Sequence, residues 1–163
     1  MRRTIELGPL LALAALAALA ALVALTALAG CNGGGDSSDG GTSDPPCVLP
    51  QDAGCAASFA PPTFDAIFMN ILKPNCAVGT GTCHTSDFAA GGIVFENEAT
   101  AYATLLGADG GTAFVLPRNP ACSTLMKRLQ STDPNYHMPR GPNSLSEQDL
   151  CTITQWIDQG ASE

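Results

Sequence analysis

The chain has 163 residues, 45% of them hydrophobic, and carries 15 Asp+Glu against 7 Lys+Arg, a formal charge of −8. That acidity, with no basic stripe, excludes docking on a nucleic-acid backbone, which needs clustered cations to displace counterions. The length suits one modest hydrophobic core.

In chain order, the first feature is an uncharged Leu/Ala run over 10–29, preceded by Arg2 and Arg3. A membrane-spanning helix takes about 20 apolar residues, so the run is long enough to span, and with its basic start it reads as an export segment. Leu28-Ala29-Gly30-Cys31 resembles the lipobox of bacterial lipoproteins. The resemblance implies a signal peptide over 1–30, cleavage before Cys31 and a diacylglycerol on the Cys31 sulfur. An uncleaved anchor is the other reading, and it exports the domain as well. After Cys31 the chain reads NGGGDSSDGGTSDPP, so that 31–46 form a lipidated cysteine with a flexible, hydrated Gly/Ser/Asp linker. Asn32, where sorting rules of enteric bacteria place Asp for retention, points to a lipid anchor in the cell envelope, on the periplasmic side of the outer membrane. The membrane, reached through Cys31, is the first expected partner.

Seven cysteines in an exported chain imply that most are covalently occupied. Beyond Cys31 there remain Cys47, Cys55, Cys76, Cys83, Cys122 and Cys151, which allow 15 pairings. Cys47 and Cys55 bracket a short loop, CVLPQDAGC, and a disulfide between them would clip a lead-in segment over 47–62. Cys122 and Cys151 fall in the opening turns of the last two expected helices, which a disulfide would staple. No pair has the two-residue spacing of a thioredoxin-like redox site.

The remaining segment, 63–163, reads as helical. Thr63 precedes Phe64, Ile67, Phe68, Ile71 and Leu72 at helical spacing, with Pro74 as the expected stop. A Gly/Thr/Ala-rich loop over 78–92 holds Cys83-His84, and 92–95 is the only strand candidate. Asn97 caps a helix through Tyr102 and Leu105 to Gly107. Asn119-Pro120 opens a third helix with Leu125, Met126 and Leu129 on its apolar face. The last helix starts at Ser146, with Asp149 in a capping-box position and Leu145 and Leu150 as a hydrophobic staple, and runs to Gly160.

Several short pieces then fall in a telling order: Asn75-Cys76, Cys83-His84, Gly91-Gly92, Ala101-Tyr102-Ala103, Arg128-Leu129, Met138-Pro139, Leu145-Ser146, and Trp156-Ile157 with Gly160-Ala161. Over about residues 63–161 this order resembles the cytochrome c-like domains of exported bacterial lipoproteins. The resemblance implies a small all-α, cytochrome c-like helical domain behind the signal peptide and linker. It also implies haem c, with iron, attached covalently through Cys76 and Cys83. His84 becomes the proximal iron ligand and Met138 the opposite one, in a protein that exchanges electrons with a redox protein not identified by the sequence.

The spacing departs from the usual attachment motif, because six residues rather than two separate Cys76 from Cys83. Gly79 and Gly81 let such a loop bulge and return. The competing reading keeps the helical frame without haem: Cys76 and Cys83 form a disulfide, His84 lies at the surface, and the protein is a structural or binding lipoprotein. His137 stands as the alternative to Met138. Met69 and Met126 are expected as core filler. Arg140 either pairs with a haem propionate or is solvated, and Trp156 lies either near a haem edge or in the core. With no nucleophile elbow, no paired-His zinc motif and only 2 histidines, an enzyme is not expected.

Overall fold

The computed structural model describes residues 45–49, 51, 52, 54–77 and 82–163, all within one compact unit, Gly33–Glu163. The signal peptide at 1–30, Cys31 and its lipidation, and the linker up to residue 44 lie outside the described residues. Among the described residues there are helices and turns and no strand, and no helix is long and apolar enough to cross a membrane.

The first helix begins as expected. Thr63 has an extended backbone and its hydroxyl accepts from the Ala66 N–H at 3.3 Å, which caps α1 (Phe64–Ile67). Pro74 does not stop it, which corrects the expected boundary. The helix widens into a π-helical segment, Phe68–Leu72, in which the Lys73 N–H reaches back to the Phe68 carbonyl, and then tightens into α2 (Lys73–Cys76). The wider turn places Pro74 at the start of a fresh α segment, where its missing N–H costs little. The amide groups of Asn70 and Asn75 donate to the carbonyls of Ala66 and Ile71 at 2.9 and 2.7 Å.

Two 3₁₀ turns follow, Thr82–His84 and Ala90–Gly92. Gly91 and Gly92 both have positive φ, 65° and 75°, a region that glycine enters without the steric cost of a Cβ. The strand expected at 92–95 is absent. Ile93 is extended, but the Phe95 N–H donates to the His84 carbonyl at 2.8 Å, so the segment is pinned to a turn and not to a second strand.

α3 (Glu98–Leu106) is capped by the Asn97 side chain, which accepts from the Thr100 N–H at 3.0 Å. It ends at Gly107, φ 69°, where a Cβ would lie 3.0 Å from the Gly111 carbonyl oxygen. The helix expected from Asn119 is instead split into a 3₁₀ turn, Pro120–Cys122, and α4 (Thr124–Leu129). Ser123 is the cause. Its backbone is extended, and its hydroxyl donates to the Asn119 carbonyl and accepts from the Leu116 N–H, both at 2.9 Å, which holds the junction open. α5 (Glu147–Asp158) starts as expected, with Ser146 Oγ accepting from the Asp149 N–H at 3.1 Å.

The core gathers around Phe64, fully buried, whose ring lies 5.1 Å from Tyr102, 5.3 Å from Trp156 and 6.1 Å from Phe68. These contacts tie α1, α3 and α5 together. The polar tips are satisfied at the edge of the core: the Tyr102 hydroxyl donates to the Ala161 carbonyl at 3.0 Å, and the Trp156 indole N–H to that of Ser162 at 2.7 Å. Trp156 is thus a core residue. Met126 is buried as expected, whereas Met69 is 53% exposed and does not fill the core.

The disulfides differ from the expected pairing. Cys47 bonds to Cys122, and Cys55 to Cys151, in place of Cys47–Cys55 and Cys122–Cys151. The reason is the path of the lead-in segment, which lies as a strap across the openings of the last two helices. The Val48 N–H donates to the Ala121 carbonyl at 2.9 Å, and the Ser58 N–H to Thr152 Oγ1 at 2.8 Å. The Gln155 amide reaches the Cys55 carbonyl at 3.1 Å, and Lys127 Nζ the Pro45 carbonyl at 3.3 Å. Each strap cysteine therefore meets a helix cysteine.

Candidate functional site

α2 packs against the Thr82–His84 turn, which brings Cys76 to the segment that carries Cys83 and His84. Cys76 has a free thiol, and burial pushes its pKa up to about 12, so the sulfur stays protonated at neutral pH. Cys83 is disulfide-bonded. The Cys76–Cys83 disulfide of the competing reading is therefore not formed: one of its two sulfurs is a thiol and the other is bonded elsewhere.

His84 is held by contacts on two sides. Its Nδ1 lies 3.2 Å from the Ile93 carbonyl oxygen, and its ring meets Phe95 nearly edge-on at 5.3 Å between centroids. Burial lowers its pKa below the ordinary 6.5; the carbonyls of Ile93 and Ala90 oppose this, and the positive charge of Arg128 adds to it. The imidazole is neutral at pH 7. With its proton on Nδ1 toward Ile93, it keeps a lone pair on Nε2, the form that ligates a metal.

Arg128 links this group to the second candidate. Its carbonyl accepts the Met138 N–H at 2.9 Å, and its guanidinium stacks on the Tyr136 ring at 4.0 Å. Met138 is half-buried and packs against the core. Arg128 thus acts electrostatically on His84 while its backbone holds Met138. His137 is otherwise engaged: Nδ1 lies 2.8 Å from the Ser131 carbonyl oxygen and Nε2 lies 3.4 Å from the Ser144 hydroxyl. Both ring nitrogens are engaged within its own loop. Arg140 is likewise engaged, through Nη1 to the Pro134 carbonyl at 2.9 Å.

The residues fit haem c in part. His84 offers a neutral, oriented nitrogen, Met138 an uncharged thioether, and Cys76 a thiol able to add to a vinyl group. Cys83 does not fit as it stands, because a sulfur in a disulfide forms no thioether. Among the described residues no three His, Cys, Asp or Glu side chains converge to hold a bare metal ion.

Away from this region, an open cleft of about 430 Å³ lies between the strap and α5, walled by Gln51, Asp52, Thr154, Gln155, Asp158 and Gln159, with Pro120 beside them. Thr154 is only 8% exposed, and its Oγ1 is the single buried side-chain nitrogen or oxygen without a hydrogen-bond partner among the described residues. Residue types gave no sign of this cleft, because the strap and α5 are about a hundred residues apart in sequence and meet only in the fold. The same holds for the Ile93 carbonyl, a backbone group.

The family model described as Planctomycete cytochrome C matches residues 81–141, and the chain carries a cytochrome c-like domain there. The match includes Cys83, His84, Arg128 and Met138. No curated protein and no solved structure matches the chain significantly.

Proposed function

We propose that the protein is a membrane-tethered, monohaem c-type electron carrier of the cell envelope, held on the periplasmic side of the outer membrane by lipid on Cys31, and not an enzyme. The observation that carries this reading is the His84 ring, neutral and anchored through Nδ1, within the stretch that matches the cytochrome family. When bound, haem c would supply a one-electron iron couple. His84 would hold the iron through Nε2, and Met138, whose N–H is held by the Arg128 carbonyl, through its thioether. Met as second ligand raises the potential relative to a second His. With both residues as ligands, the group would supply electron exchange with another redox protein.

The two strap disulfides, Cys47–Cys122 and Cys55–Cys151, support a second reading, a haemless structural or binding lipoprotein on the same frame. Intact mass before and after reduction, with the reduced pyridine haemochrome spectrum, separates the two. The carrier reading expects covalently bound porphyrin mass that survives reduction. Met138→Ala should then keep the porphyrin while shifting the visible spectrum and lowering the potential. A colourless product from a strain with haem-attachment machinery, whose mass changes only by the hydrogens of reduced disulfides, would establish the haemless module.

A further inference from the structure

The loop that carries Met138 is shaped by groups of its own. The Tyr136 and His137 N–H groups both donate to the Asp133 carbonyl, at 2.9 and 2.7 Å, and Arg140 Nη1 donates to the Pro134 carbonyl at 2.9 Å. Bonds within a loop fix its form but not its place. The place comes from α4. Arg128 lies in the last turn of that helix, where backbone carbonyls have no acceptor role inside the helix, and its carbonyl takes the Met138 N–H at 2.9 Å. Met126 and Leu129 are buried in the same helix, so this carbonyl is a fixed point.

Any residue at 128 would supply a carbonyl; the side chain is what arginine adds. Its guanidinium lies over the Tyr136 ring, 4.0 Å from the centroid, well inside the roughly 6 Å over which an aromatic face attracts a cation. Nη1 lies 3.5 Å from the Tyr136 carbonyl oxygen, a long contact that adds direction more than strength. Both residues are half-buried, a setting in which such a stack is stronger than on the open surface. Arg128 thus grips the loop at Tyr136 with its side chain and at Met138 with its backbone.

We propose that Arg128 is a positioning residue: the stack of its guanidinium on Tyr136 latches the Met138 loop to α4 and keeps the Met138 side chain against the core. The use of the latch rests on the carrier reading, in which Met138 is an iron ligand, but the latch itself is measurable without haem.

The test is amide hydrogen exchange, read by NMR on the full chain in detergent micelles, expressed without haem-attachment machinery. The variants are Arg128→Met, Tyr136→Leu, their combination, and Tyr136→Phe, all of which keep the carbonyl at 128. Protection of the Met138 amide should fall about tenfold in Arg128→Met and in Tyr136→Leu, and no further in the double variant, because the two changes remove one shared contact. Tyr136→Phe keeps the ring face and should keep the parent protection. The amides of residues 136 and 137, bonded to Asp133 within the loop, should stay protected in every variant, which a general loss of stability would not allow. Unchanged Met138 protection in both Arg128→Met and Tyr136→Leu overturns the proposal, as does an equal loss at 136 and 137, or a Tyr136→Phe that behaves like Tyr136→Leu. If Arg128→Met fails to fold, the comparison of the Leu and Phe variants at 136 decides. With attachment machinery present, Arg128→Met should keep any porphyrin mass of the parent while weakening the thioether-to-ferric-iron charge-transfer band and lowering the potential. A parent without porphyrin overturns the carrier reading and leaves the exchange result to decide the latch. A loaded parent whose band and potential do not respond to Arg128→Met overturns the proposal alone.

Discussion

At the scale of single residues, His84 connects burial to chemistry. Its folded pKa lies below the 6.5 of a free imidazole, mainly because burial disfavours the charged ring. Between these two values the unfolded chain holds more protons than the folded one, so stability rises with pH across that window. The contribution is complete above about pH 6.5 and is lost as pH falls through the folded pKa. In the haem-free chain, melting temperature should therefore drop on acidification from neutral to mildly acidic pH, and His84→Gln should flatten part of that drop. Parallel melting curves for parent and variant across this range would show that the imidazole is not the group responsible. Cys76 is the opposite case: burial holds its thiol protonated, with a pKa of about 12.

At the scale of elements, the helix ends are set by local chemistry and the middle of the first helix is not. Ser146, Asn97 and Thr63 each accept a backbone N–H at the start of their helices. Ser146→Ala should cost about 1 kcal/mol of unfolding free energy, measured by urea denaturation, because the Asp149 N–H loses its acceptor. An unchanged midpoint would mean that water replaces the cap at no cost. These caps were legible because a cap depends only on residues within one turn. Pro74 misled for the same reason. The local rule says stop, but Phe68, Ile71 and Leu72 are buried on one continuous face, and the helix widens to keep that face on the core.

At the scale of the whole molecule, the strap decides the covalent architecture. Its disulfides join residues 75 and 96 apart in sequence. In the chain-entropy model each loop of that size contributes about 4 to 5 kcal/mol, comparable to the net stability of a small domain. The double variant Cys55→Ser/Cys151→Ser, which adds no unpaired thiol to that of Cys76, should lower the melting temperature sharply and free the strap to exchange its Val48 and Ser58 amide protons. A melting temperature within a degree or two of the parent would mean that packing of the strap, and not its cross-link, holds it in place.

The sequence by itself determined the all-α class, the caps of three helices, the identity of most core positions and the place of the Cys-His turn within a cytochrome-like order of short motifs. Each of these depends on spacing along a few turns of chain, which periodicity and cap chemistry encode directly. Only the tertiary structure decided the crosswise disulfides, the carbonyl of Ile93 that orients His84, the engagement of His137 within its own loop, and the cleft beside Thr154. All of these join groups brought together by folding, through backbone atoms or through partners too far apart in sequence for any local pattern to relate them.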